Sequence, residues 1–259
     1  VGVGLYNLSI ISNILAKPPL VSLKRQAIDP SSLINGIIEK SDRTLRQSNV
    51  MTAKTFTPPE QTVQLSGISW QSYETMLAEF SYRRLRLRYN RGNLEIIVPT
   101  PEREFYKEVL GRFVETLAEE LAVRIEPLGS TTFKLPELVG AETDGCFYIQ
   151  NASAIKGKKR INMSQDLPPE LVLEIDVGSR SEIILQICAS LGVPEVWIYN
   201  GSQLRINRLE NKEYVERDRS LAFPIVPILE IVRFLEQAET MDYLELVKAF
   251  QNWVKSQIS

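Results

Sequence analysis

The hydrophobic and polar positions fall into regular patterns from about residue 68 onward. Ser69 suits the N-cap of a short helix running through Phe80, because its hydroxyl can accept from an unpaired N–H of the first turn. Arg84-Leu85-Arg86-Leu87-Arg88-Tyr89 alternates with period two and predicts a strand. Asn90-Arg91-Gly92-Asn93 predicts a turn and Leu94–Val98 the returning strand. Pro99 and Pro101 precede a long helical pattern from Glu102 to Leu121. Within it Phe105, Val109, Phe113, Leu117 and Leu121 recur every four residues as one apolar stripe. Strands are predicted at Val123–Pro127, Thr131–Leu135 and Gly145–Ile149, followed by a polar, basic connection from Ala154 to Gln165. Leu171–Val177 is a strongly apolar strand, and a helix over Ser181–Leu191 stops at Gly192 and Pro194. Glu195–Tyr199 and Leu204–Leu209 flank Asn200-Gly201 as a hairpin. A short strand at Glu213–Glu216 and helices near Ile228–Gln237 and Asp242–Gln257 follow.

Residues 1–50 differ in character: they carry six basic residues against three acidic ones, and the chain has no Met before Met51. Two readings stand. Residues 1–50 are an extension upstream of a natural start at Met51, or they are a poorly ordered N-terminal arm; the main domain spans 51–259 either way. Val1–Ala16 is apolar in part but lacks a basic leading region. It reads as a weak amphipathic segment, with a signal peptide as the alternative. No apolar run reaches the roughly 18 residues of a membrane helix.

Composition narrows the chemistry. The 259 residues include 30 Lys and Arg against 32 Asp and Glu, a net charge of -2. Any attraction for nucleic acid must therefore come from a local basic patch. There is no histidine, which excludes His-ligated zinc, a Ser-His-Asp triad and a His general base. Cys146 and Cys188 are the only cysteines, too few for a disulfide framework. They fit small core residues of a reducing, cytoplasmic compartment. Hydrolytic chemistry would have to rest on carboxylates, lysines and a hard metal ion.

The strand Leu171–Val177 carries Glu174 and Asp176 on one face, with Leu171, Leu173, Ile175 and Val177 on the other. Two readings are open: oxygen ligands for a divalent cation, or charges on a strand emerging into solvent. Asp144 stands immediately before the strand Gly145–Ile149. Antiparallel pairing of the two strands would bring Asp144 opposite Glu174 or Asp176. Three converging acids would repel one another without a cation, which argues for Mg²⁺ or Mn²⁺. Glu102 and Glu104 sit in the first turn of the long helix. Stabilisation of the helix end is their default role, and joining the acidic cluster the alternative.

Four segments together carry a resemblance. They are Thr100-Pro101-Glu102-Arg103-Glu104 with its helix, Ala141–Ile149 around Asp144, Pro168–Asp176, and Leu191-Gly192-Val193-Pro194-Glu195-Val196-Trp197. In order and spacing, over about residues 65–240, the chain resembles the Uma-type family of bacterial proteins assigned as endonucleases, within the restriction-endonuclease-like PD-(D/E)XK superfamily. The resemblance implies an α/β (α+β) fold, a mixed central sheet flanked by helices. It implies hydrolysis of DNA phosphodiester bonds with Mg²⁺ or Mn²⁺ held by Asp144, Glu174 and the backbone carbonyl near Ile175. Asp176 and Glu104 would support or share the ion. Nucleic acid is then the partner, with a homodimer as one form and no membrane association.

Several positions depart from that pattern. Thr143 replaces a motif proline, Gly145 an acidic residue, and Asp176 stands where the simplest motif has lysine. The position aligned with the displaced basic residue is Ile184. Arg180 or Lys134 could substitute for it. A positioned acid–base group typically contributes a hundred- to ten-thousand-fold, roughly, so a catalytically inactive nucleic-acid-binding or interaction module is the alternative function. Lys156, Lys158, Lys159 and Arg160 form a basic loop, read either as phosphate contacts or as an ordinary solvated loop. Arg84, Arg86 and Arg88 share a strand face, which could line a nucleic-acid surface or be the charged outer face of an edge strand. Trp70, Trp197 and Trp253 fit core anchors.

Overall fold

The alternating segments form two β-sheets, and the helices cover them. The computed structural model describes residues 60–158, 160–177 and 182–258. The readings for residues 1–50, Met51, Lys159 and Arg180 lie outside these residues. In chain order the elements are β1 (Gln61–Leu65), α1 (Trp70–Glu79), β2 (Arg86–Asn90), β3 (Asn93–Val98), α2 (Pro101–Glu120), β4 (Glu126–Pro127), β5 (Thr132–Leu135), β6 (Val139–Glu142) and β7 (Gly145–Tyr148). Then come α3 (Ala152–Ile155), β8 (Leu171–Ile175), α4 (Glu182–Leu191), β9 (Glu195–Tyr199), β10 (Leu204–Glu210), β11 (Glu213–Arg217), α5 (Ile228–Gln237) and α6 (Tyr243–Ile258).

The expected mixed central sheet is the six-stranded one, ordered β11-β10-β9-β8-β7-β4. Its one parallel pair is β8–β9, and α4 makes the crossover that parallel pairing requires. A second, antiparallel sheet, β1-β3-β2-β6-β5, accompanies it, so the fold is α+β. One face of the mixed sheet carries Leu171, Leu173 and Ile175, packed with Phe113 of α2, Phe234 of α5 and Phe250 of α6. The other face carries Val172, Val196 and Ile198, packed with Ile184 and Ile187 of α4 and with Phe133 of the antiparallel sheet. Both faces of β8 are therefore buried, as expected of a strand with parallel pairing.

Three local expectations change. β2 is not an edge: it lies between β3 and β6, and Arg86 and Arg88 are buried. The stripe of α2 is rotated, with Tyr106, Leu110 and Val114 joining Val109, Phe113 and Leu117 inside while Phe105 is 40% exposed. β1 and β6 had no predicted counterpart. β6 is short and centred on Gly140, where a Cβ would come within 2.5 Å of the Tyr73 hydroxyl. Tyr73 is fully buried and its ring stacks on Tyr89, centroids 5.1 Å apart. Glycine is required there for close approach of strand to ring. Gly140→Ala should lower unfolding free energy by about 1–3 kcal/mol through overpacking, measured by urea titration.

Candidate functional site

The site grows out of a hairpin register. Arg91 and Gly92 both adopt positive φ, 45° and 90°, the two-residue turn that matches strand twist. This turn sets Arg88 directly opposite Glu95 across β2–β3, and their side chains pair at 3.2 Å. Pairing of β7 with β8 sets Gly145 opposite Leu173, so Asp144 meets Glu174 at the next step, one of the two partners, Glu174 or Asp176, that the sequence left open. Thr100 caps α2 by accepting from the Arg103 N–H at 3.2 Å, which places the Arg103 side chain in the seam between these pairs.

Arg103 grips both acids. Its Nε and Nη2 donate to Asp144 Oδ1 and Oδ2 at 3.1 and 2.7 Å, and Nη2 also donates to Glu174 Oε2 at 3.2 Å. Asp144 Oδ2 and Glu174 Oε2 thus share the one Arg103 nitrogen, at 2.7 and 3.2 Å. Arg103 Nη1 donates to Glu60 at 2.9 Å. Arg88 Nη2 donates to Glu174 Oε2 at 2.6 Å. Arg86 pairs through Nε with Asp144 Oδ1 at 3.2 Å and donates to Glu142 at 3.0 Å and Glu104 at 3.3 Å. Asp144 Oδ2 also accepts the Ile175 N–H at 2.8 Å. Asp144, Glu174, Arg88 and Arg103 are each no more than 1% exposed.

Protonation follows from these contacts. Burial would raise the Asp144 pKa, but Arg103, Arg86 and the Ile175 N–H hold it below its ordinary value. Burial pushes Glu174 up to about 7, against the pull of Arg88 and with the push of Asp144. Burial alone would lower Arg103, yet Asp144, Glu174 and Glu60 hold it above its ordinary value.

The other expected site residues fall in different places. Glu104 joins the cluster through Arg86 and also pairs with Lys107 at 2.8 Å. Asp176 is buried just beyond β8, its N–H bonded to Tyr199 O at 2.8 Å. Ile175 supplies an N–H to Asp144. Ile184 is a core residue, 1% exposed. Lys134 is on edge strand β5 and pairs with Glu74 at 2.8 Å. Lys156, Lys158 and Arg160 follow α3, beyond the end of β7 opposite to Asp144, about 13 Å of strand away. There Lys158 pairs with Asp166. The basic loop is thus not beside the acid pair. Arg103, Glu60, Glu95 and Glu142 had no assigned site role from the sequence, and Arg86 and Arg88, read as a strand face that could meet nucleic acid, are buried in the cluster instead. The Arg88–Glu95 pairing was available from the predicted turn, because the turn fixes the register.

The residues do not fit a dication as they stand. Mg²⁺ and Mn²⁺ need several oxygen ligands with free lone pairs, whereas both oxygens of Asp144 and Oε2 of Glu174 already accept from guanidinium or backbone donors. Among the described residues no group of three acidic or cysteine side chains is placed to hold a metal ion. The crowding of acids is real, but arginine supplies the compensating charge.

A family model named Uma2, described as "Putative restriction endonuclease", matches residues 70–235; the chain belongs to this family. A solved structure described as a "putative nuclease belonging to DUF820", from Anabaena variabilis ATCC 29413, is similar at 15% identity and a TM-score of 0.41. The match covers 57% of this chain and 90% of that one. No curated protein matches the chain. No helix among the described residues is long and apolar enough to cross a membrane.

Removing one member of a buried ion-pair network leaves uncompensated charge. Arg103→Met, which strips the shared donor from three acids, should cost about 3–5 kcal/mol in urea unfolding. The pH dependence has a defined sign. Glu174 rises from 4.5 to about 7 on folding, so the folded chain binds more protons across that window and stability falls as pH rises through it. Glu60 and Glu142 shift the same way through burial. Asp144 acts oppositely: its contribution is present above the unfolded value near 3.8 and is lost as pH falls below it. Glu174→Gln should flatten the decline between about pH 5 and 7; an unchanged slope would exclude Glu174 as its source.

Proposed function

We propose that this Uma2-family chain is a catalytically inactive nucleic-acid-binding module of nuclease fold that binds DNA in the cytoplasm without hydrolysing it. One observation carries the reading: Arg103 Nη2 lies 2.7 Å from Asp144 and 3.2 Å from Glu174, where a shared metal would have to sit. The buried Ile184 agrees with it, since that position supplies no cation for activating water. Membership of a family described as "Putative restriction endonuclease" supports nucleic acid as the partner. Cys146 and Cys188 are buried thiols, in keeping with a reducing compartment.

A second reading is a Mg²⁺- or Mn²⁺-dependent endonuclease hydrolysing DNA phosphodiester bonds, with Asp144, Glu174, Asp176 and Glu104 as its acids and Ile175 lending its carbonyl. Its support is Glu174 Oε1, a buried carboxylate oxygen with no hydrogen-bond partner.

Incubation of supercoiled plasmid with the protein and Mg²⁺ or Mn²⁺ separates the two. The expected result is retardation at low salt that weakens as salt rises, with no nicking by the wild type. Metal-dependent nicking by the wild type that disappears in a folded Asp144→Asn variant, checked by circular dichroism, would establish the endonuclease instead.

A further inference from the structure

The segment between β7 and β8, which carries the basic loop, has its own supports. Ala152 and Ile155 of α3 are 2% exposed and pack with Tyr148, Leu128 and Ile161 as a small apolar core. The Tyr148 hydroxyl donates to the Leu167 carbonyl at 3.0 Å. Residues 149–170 contain two acids, Asp166 and Glu170, and both are occupied in shaping the segment. Glu170 accepts from the Ile149 and Asn151 N–H groups at 2.7 and 3.1 Å and from the Asn151 side-chain amide at 2.6 Å. Asp166 accepts from the Asn162 N–H at 2.9 Å and pairs with Lys158.

The cations of this face are disposed differently. Lys156 and Arg160 are exposed and pair with no acid among the described residues. Arg124, exposed between α2 and β4, is held to α3 by donating to Ser153 Oγ at 3.2 Å and has no acid partner there either. The acids thus point into the loop's own structure while the cations are left to solvent. Like charges gathered on an ordered loop repel one another, a cost that a bound polyanion removes.

We propose that this face, formed by Arg124, Lys156, Lys158 and Arg160, docks the phosphate backbone of duplex DNA. The inference rests on the nucleic-acid reading above and names its contact surface, beyond the end of β7 opposite to Asp144. Contacts of this kind position a protein on the duplex without reading its sequence, and a loop already ordered loses little freedom on binding. The rival surface is the open cleft of about 700 Å³ beside the arginine–acid cluster, lined by Arg83, Arg84 and Arg86. Glu104 and Glu142 line that cleft as well and pair with Arg86, so negative charge opposes a phosphate there. Its Arg83 is engaged with the rings of Phe80 and Tyr82, 5.7 and 5.4 Å from their centroids. On the loop face the acids are already satisfied by the loop and the cations are free.

Fluorescence anisotropy with a labelled duplex of mixed sequence, titrated over a salt series, tests the proposal. At about 50 mM salt Lys156→Ala, Arg160→Ala and Arg124→Ala should each weaken binding roughly tenfold and lower the salt slope by about one. Exposed changes of this kind alter stability little, and circular dichroism checks that each variant is folded. Arg84→Ala, at the cleft, should leave affinity and slope alone. Duplex binding unchanged in a folded Lys156→Ala/Arg160→Ala variant, or weakened only by Arg84→Ala, would overturn the docking face while leaving the nucleic-acid reading intact. Absence of duplex binding by the wild type at low salt, with or without binding to phosphatidylserine vesicles, would remove that reading itself.

Discussion

Three arginines packed against carboxylates hold together the seam where the two sheets and the start of α2 meet. Arg88 reaches from β2 to Glu95 on β3 and to Glu174 on β8. Arg103 reaches from α2 to Asp144, Glu174 and Glu60. Charges this deep are tolerable only when each has partners. The cluster therefore constrains the fold more than it stabilises it: the hairpin register, the β7–β8 register and the cap of α2 must all be correct at once. A one-residue slip in β2–β3 would turn Arg88 to the other face and leave Glu95 and Glu174 without it.

The same cluster decides the chemistry. Acids that converge on one point need positive charge, and a metal ion and a guanidinium supply it differently. A metal keeps water bound and polarises it. A guanidinium fills the acceptor positions with fixed N–H donors and offers no site for water activation. Two converging acids are thus compatible with opposite outcomes, and the neighbours decide between them. Here Arg103 reaches Asp144 through two nitrogens, the fork geometry that makes such pairs tight. Asp144 and Glu174 stay side by side, while both oxygens of Asp144 and Oε2 of Glu174 accept from the protein's own donors.

Much of this was legible in the sequence because it depends on short-range patterns. The period-two run of β2, the Asn-Arg-Gly-Asn turn and the apolar run of β8 each identify themselves. The meeting of Asp144 with Glu174 follows from antiparallel pairing of two adjacent strands. What could not be read depends on contacts across the fold. Arg103 looks like any charged residue of a helical first turn, and only the packing of α2 against β8 makes it the shared donor. Arg86 and Arg88 read as a solvent face because alternation says which side chains agree with each other, not which side is buried. β6 escaped because its centre is a glycine whose reason lies in Tyr73, nearly seventy residues away. The basic loop is a different kind of miss, since closeness in sequence to β7 says nothing about which end of the strand carries it.

Arg86 links the closed cluster to open solvent. One side of its guanidinium meets Asp144, and the other borders the cleft with Glu142 and Glu104. A phosphate arriving in the cleft would compete with these carboxylates for the same donors, and a charged phosphate oxygen is a strong competitor. Arg86 has only modest freedom to respond, being 4% exposed and tied to the Thr143 carbonyl at 3.1 Å. Even its full withdrawal would leave Arg103 on Asp144 and Arg88 on Glu174. The acid pair is thus guarded in layers, and occupation of the cleft reaches only the outer one. The cleft lies outside the ring of arginines, and Asp144 and Glu174 lie within it.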